Sequence, residues 1–246
     1  MTPRRRPAFW ITVGIAAAVL AVTVALLALS GSLGGSLGGS LGGVLSRGQS
    51  EAGPGPAARA PGETVVAFYG DSYTRGTGAS ATDRRWSTIV SAERGWTEVN
   101  PSRNGLGFVN QRGAGDDLVD EVIAARPDIV ISTMGLNDNF SMPSRADEIE
   151  ASITRDFTTI RADLPEARLI VVEPFWYTAE RPESVEQIIG WVQAAALAAD
   201  ADYIPGASHW LDGHPEWMAD DGLHPNDAGY AALAERMDAE LDALGL

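Results

Sequence analysis

The chain has 246 residues, 45% of them hydrophobic, and a formal net charge of −15. So acidic a chain is a poor partner for nucleic acid, whose phosphates need clustered cations. It contains no cysteine and no lysine, which excludes disulfides, thiolate metal sites and nucleophiles of either type.

In chain order, Arg4-Arg5-Arg6 lies within a short basic tail, residues 1–7. Residues 8–29 follow without a charge, interrupted only by Thr12 and Thr23 among the apolar residues. At about 1.5 Å per residue, such a run is long enough to span a bilayer's hydrocarbon core. The arginines favour the cytoplasmic side, so this signal anchor would place the remainder outside the cytoplasm. A cleaved signal peptide, cut near Ala28-Leu29-Ser30, is the rival, and would give a secreted protein. Residues 30–62 carry Ser-Leu-Gly-Gly repeats and then Gly53-Pro54-Gly55-Pro56. That composition buries too little apolar surface to offset ordering entropy and reads as a flexible linker.

A folded domain is expected over residues 63–246. Thr64–Tyr69 is apolar and β-favouring, and it runs into Gly70-Asp71-Ser72. That pattern predicts a buried strand closed by a tight turn holding Ser72. A helix is expected over Trp86–Glu93 and a short strand over Thr97–Asn100, followed by a Gly-rich loop. Further helices are expected over Asp117–Ala125, Ser144–Asp163, Pro182–Ala199 and Pro225–Leu244. Strands are expected over Asp128–Thr133, Arg168–Glu173 and Ala201–Ile204. Strands alternating with helices imply a parallel sheet of about five strands between two helical layers, α/β/α.

In such a sheet the strand ends converge on one edge, where ligands bind. Ser72 follows the first strand, Gly105 the second and Asn137 the third, while Asp221 and His224 precede the last helix. Their chemistry is acyl transfer. Ser72 is the candidate nucleophile, His224 its base, and Asp221 the group that orients the imidazole. The backbone N–H groups of Ser72 and Gly105 and the Asn137 amide are the candidate oxyanion donors. Gly115 competes with Gly105, and Asp220 with Asp221.

Four blocks resemble the SGNH/GDSL hydrolase superfamily: Gly70-Asp71-Ser72-Tyr73, Val99-Asn100 followed by Gly105, Gly135-Leu136-Asn137-Asp138, and Asp221-Gly222-Leu223-His224-Pro225. The second block departs from the pattern, with Pro101-Ser102 where the first glycine belongs. The resemblance implies a flavodoxin-like fold, ester hydrolysis through Ser72 and His224, and neither metal nor organic cofactor. Taken with the residues, it predicts an extracytoplasmic serine esterase for small or carbohydrate-borne acyl esters. Acyl transfer to a sugar hydroxyl at the same site is one alternative, and a non-catalytic surface binding module another. Phe175-Trp176-Tyr177 reads partly as packing and, from its place on the same edge, as a candidate wall for an acyl group or a sugar ring. Arg75 and Arg103 read as solvated surface residues, with contact to a substrate anion as the alternative. His209 and His214, with Trp210 and Trp217, form a loop of structural or substrate-facing residues. A zinc site built from the three histidines matches no trusted ligand spacing.

Overall fold

The structure, a computed structural model, describes residues 60–113 and 117–246. The expected anchor (8–29), almost all of the linker and Gly115 lie outside these residues. Among the described residues no helix is long and apolar enough to cross a membrane.

The strands are β1 (Val65–Tyr69), β2 (Thr97–Val99), β3 (Ile129–Ser132), β4 (Arg168–Val172) and β5 (Asp202–Ile204). All neighbours pair parallel, in the order β2-β1-β3-β4-β5. This is the doubly wound, flavodoxin-like order, with its switch point between β1 and β3. The helices are α1 (Ser72–Arg75), α2 (Trp86–Glu93), α3 (Leu118–Ala124), α4 (Ala146–Asp163), α5 (Glu183–Ala198) and α6 (Asp227–Ala243).

Alternation along β1 assigns the two faces. Ala67 and Tyr69 join a core with Val122 of α3, Phe157 of α4 and Val192 of α5. Val66 and Phe68 join the opposite core with Trp86 of α2 and Tyr230 and Met237 of α6. A strand covered on both sides reads as one apolar run rather than an alternating one, which is why β1 is visible in the sequence. Side-chain caps set several helix starts. Asp117 accepts from Val119 N–H ahead of α3, and Asn226 from Ala228 and Gly229 N–H ahead of α6. Arg94, at the end of α2, reaches Asp238 (2.6 Å) and Asp242 (2.8 Å) on α6 and ties that layer together.

One expectation needs revision. Ser72 lies not on a turn but in the first position of the four-residue helix α1. Asp71 is the cap, its side chain accepting from Tyr73 N–H, and Gly76 ends the helix in the left-handed region at φ 89°. One turn of helix is too short to leave a periodic pattern.

The exit from β1 is tight. A Cβ at Gly70 would stand 2.5 Å from Thr74 Oγ1 and 2.8 Å from Thr133 Oγ1. Those two hydroxyls are themselves hydrogen-bonded at 2.6 Å, closing α1 onto the end of β3. Gly70→Ala should therefore cost about 1–3 kcal/mol, the usual scale for overpacking. A urea unfolding curve checks this, and an unchanged midpoint would contradict it.

Candidate active site

The site grows out of the β1–α1 junction. Ser72 is 5% exposed. Its backbone N–H, in the first turn of a helix, has no intrahelical acceptor. Its carbonyl accepts from Gly76 N–H (3.0 Å) and Thr77 N–H (2.9 Å), so the turn is locked on both sides of the hydroxyl.

The loop before α6 brings the imidazole to that hydroxyl. His224 Nε2 lies 2.9 Å from Ser72 Oγ. His224 Nδ1 lies 2.7 Å from Asp221 Oδ2. An ionised carboxylate only accepts, so the Nδ1 hydrogen belongs to that bond and Nε2 is left to accept from the serine hydroxyl. Asp221 also folds its own loop, Oδ1 accepting from Leu223 and His224 N–H at 2.9 Å each. Such a turn is the ordinary local habit of Asp. Partial burial pushes the Asp221 carboxyl up, but the hydrogen bonds from the His224 ring and the two N–H groups outweigh it and hold it at about 2. Asp221 is thus ionised throughout the range in which an imidazole titrates.

Two supports fix this loop from below. Tyr73 donates its hydroxyl to Leu223 O at 2.5 Å, and its ring lies 6.0 Å from that of His224. Gly78, at φ 96°, lets the loop come close, since a Cβ there would sit 2.4 Å from Pro225 O and 3.1 Å from His224 Cβ.

The third block divides its labour. Asn137, on the 3₁₀ turn Leu136–Ser141, turns its amide toward the β1–α1 junction. Its Nδ2 donates to Asp71 Oδ2 (3.1 Å) and to Leu106 O (3.0 Å). Asp138 turns the other way and accepts from Phe108, Val109 and Asn110 N–H at 2.8, 2.9 and 3.1 Å. Burial raises the Asp138 carboxyl despite these three donors. The latch needs Gly107, where a Cβ would stand 2.5 Å from Asp138 Oδ1.

Gly105 sits in the loop so latched, at φ 71°. Its neighbour Asn104 accepts from Thr77 Oγ1 (2.7 Å), just beyond α1, and its other neighbour Leu106 meets Asn137. The loop therefore bridges the serine turn and the asparagine, with Gly105 between the two anchor points.

The remaining sequence candidates separate. Asp221, not Asp220, meets His224. The other two histidines keep to carboxylates of their own, His209 with Asp212 and His214 with Glu216. His214 also stacks on Trp217, with ring centroids 3.5 Å apart. Phe175 and Trp176 serve packing first. Both are buried, Phe175 between Tyr73 and Trp210, and Trp176 with its indole N–H on Thr178 Oγ1 and Glu180 O. Buried aromatics at the end of a strand cover the core first. Tyr177 is half-buried and lines a hollow of about 470 Å³ formed by residues 176–182. A second hollow, of about 440 Å³, runs along Gly78, Ser80 and Asn226–Ala228, beside the histidine loop. Arg103 is ion-paired with Glu121.

Asp138, Gly78, Gly107 and Tyr73 are the supports that sequence reasoning passed over. The one signal for Asp138 was its place beside Asn137 in the third block.

Comparison with known proteins gives one answer. The profile of the GDSL-like lipase/acylhydrolase family matches residues 68–232. A GDSL lipase of Mycobacterium tuberculosis is 32% identical over 182 residues, 70% of this chain and 79% of that protein. A psychrotrophic esterase from Pseudoalteromonas sp. superposes with a TM-score of 0.60 at 15% identity, covering 74% of this chain and 98% of its own. An acetyl-xylooligosaccharide esterase from Geobacillus superposes with a TM-score of 0.55 at 21% identity, over 70% and 91% of the two chains.

The latch has a measurable weight. Asp138→Ala leaves two buried N–H groups, of Phe108 and Val109, and the part-buried one of Asn110 without their acceptor, and should cost about 2–4 kcal/mol, the scale of one or two unpaired buried donors. Chemical denaturation measures it, and a loss below about 0.5 kcal/mol would show that the loop holds itself.

Proposed function

Given that the chain belongs to the GDSL-like lipase/acylhydrolase family and is a carboxylic ester hydrolase, we propose that Ser72, His224 and Asp221 carry its chemistry through an acyl-enzyme. The observation that supports this most is the continuous hydrogen-bond line Ser72 Oγ–His224 Nε2 (2.9 Å) and His224 Nδ1–Asp221 Oδ2 (2.7 Å).

In the first half-reaction, Ser72 Oγ forms a bond to the ester carbonyl carbon while its proton passes to His224 Nε2. The carbonyl π electrons move to oxygen, and Asp221 balances the imidazolium from the far side of the ring. The oxyanion collapses, the bond to the alcohol oxygen breaks, and Nε2 returns its proton to that oxygen. The acyl group now sits on Ser72. In the second half-reaction, water gives a proton to Nε2 and its oxygen attacks the acyl carbon. The intermediate expels Ser72 Oγ, which recovers its proton, and the free acid leaves.

The oxyanion donors in this reading are Ser72 N–H, Gly105 N–H and the Asn137 amide. Ser72 N–H lies in the first turn of α1, where it has no intrahelical acceptor. Asn137 presents nitrogen, not oxygen, to the same junction, and an arriving oxyanion shares one of its two hydrogens with the acceptor that hydrogen already meets, Asp71 Oδ2 or Leu106 O. Donors arranged before the reaction are usually the largest single catalytic contribution.

The substrates proposed are small or carbohydrate-borne acyl esters. In support, the histidine lies beside the hollow along Gly78 and Asn226, which suits a bulky, hydrophilic alcohol portion. The Geobacillus neighbour's own description as an acetyl-xylooligosaccharide esterase points the same way. The apolar run at 8–29 behind three arginines supports a membrane-anchored enzyme working outside the cytoplasm. A family of ester hydrolases leaves no place for the non-catalytic binding module.

Hydrolysis of p-nitrophenyl acetate, butyrate and octanoate tests this reading. Ser72→Ala and His224→Ala should each lower kcat by about 10³-fold or more, since the members of such a unit fail together. Asn137→Ala should lower kcat by about 10²–10³-fold. Rates should fall from acetate to octanoate. A Ser72→Ala variant retaining a tenth of the activity would overturn the assignment.

A further inference from the structure

We propose that Asp71 is the positioning residue of the oxyanion site, its single carboxylate holding both the turn that carries Ser72 and the nitrogen face of the Asn137 amide. The inference rests on the assignment of Asn137 as an oxyanion donor.

The two oxygens of Asp71 do different things. Oδ1 accepts from Tyr73 N–H at 2.9 Å and caps α1. Oδ2 accepts from Asn137 Nδ2 at 3.1 Å, across 66 residues of sequence. The cap alone does not explain the residue, because Ser, Thr or Asn caps a helix as well as Asp and brings no charge. Asp71 is 1% exposed, and no ion pair reaches it among the described residues. A buried carboxylate without a cation is costly unless its acceptors are used. Here its second oxygen is used on a single group, the Asn137 amide.

That use has a chemical consequence. An amide presents two donors at one end and an acceptor at the other, and the two ends have almost the same shape. Rotated by half a turn, Asn137 would offer its oxygen to the developing oxyanion and repel it. Leu106 O (3.0 Å) and Asp71 Oδ2 (3.1 Å) both select the nitrogen, and both belong to segments that flank Ser72. Because Asp71 precedes Ser72 directly, a displacement of the nucleophile moves the amide's anchor with it. The nucleophile and its oxyanion donor are thereby set by one rigid group.

The titratable groups facing Asp71 are Asp138 from the 3₁₀ turn, Tyr73 from α1 and Tyr230 from α6. Burial pushes the Asp71 carboxyl up to about 7, with Asp138 adding to it and the Tyr73 N–H opposing. All three neighbours are neutral or negative, and what favours its charge is hydrogen bonding, from Tyr73 N–H, from its own backbone N–H and from the Asn137 amide.

The test is a double-mutant cycle in the full chain, with kcat and KM on p-nitrophenyl acetate and a thermal melt for each variant. Asp71→Ser keeps an oxygen for Tyr73 N–H but is too short to reach Asn137. Asp71→Asn keeps the cap and turns a donor against a donor. Both should lower kcat by about the factor seen for Asn137→Ala, leave KM within about threefold, and melt as folded proteins. Asp71→Ser combined with Asn137→Ala should be no slower than Asn137→Ala alone, because both changes remove the same donor. Full kcat in the Asp71 variants, or a double variant slowed by the product of the two factors, overturns the inference while leaving the role of Asn137 intact. An unaffected kcat in Asn137→Ala overturns the oxyanion assignment itself. Failure of both Asp71 variants to fold assigns the residue to the fold alone and ends the inference.

Discussion

Everything at the site depends on how β1 ends. The strand is buried on both faces and stops at Gly70, where no side chain fits between Thr74 and Thr133. The chain must turn at once, and Asp71 makes it turn into a helix. Ser72 is therefore delivered to the carboxyl edge of the sheet with its backbone held on both sides. In a doubly wound sheet the connections on either side of the switch point leave toward opposite faces, and the edge between β1 and β3 opens into a crevice. The geometry of the candidate site is a consequence of that topology before it is a consequence of any side chain.

Around this point, three carboxylates organise the loops, Asp71 and Asp138 buried and Asp221 at the surface. Asp71 joins the serine turn to the asparagine turn, Asp138 joins the asparagine turn to the loop after β2, and Asp221 folds the histidine loop around itself. Each accepts from backbone or side-chain N–H groups rather than from a cation fixed beside it. The cost of burying Asp71 and Asp138 is borne where the fold gains in precision of placement. Only Asp221 is held low, to about 2, because it faces the imidazole. Asp71 and Asp138 are pushed up by burial.

Much of this was legible in the sequence, and the reasons are physical. Strands covered on both faces are unbroken apolar runs, and Trp86–Glu93 lay between clear breakers, so its bounds agree with α2. Ser72, His224 and Asp221 were legible because a hydroxyl, an imidazole and a carboxylate at strand ends have few other reasons to be there. The supports were not. Asp71 and Asp138 carried no reading of their own, each standing in a block beside a residue with a plainer chemical role. Their distinguishing partners lie 66 and about 30 residues away. Gly78 and Gly107 matter only through what a Cβ would strike. Phe175-Trp176-Tyr177 read both as packing and as a wall because aromatics at a strand end can do either: Phe175 packs beneath Tyr73, while Trp176 and Tyr177 line the hollow at 176–182.

The central claim is that Ser72 is a nucleophile activated by His224. Its most direct test is reaction with a fluorophosphonate, followed by mass-spectrometric location of the adduct. The account predicts one adduct per chain, on Ser72, formed far more slowly in His224→Ala. An adduct on another residue, or ester hydrolysis that continues undiminished after Ser72 has been fully modified, would contradict it.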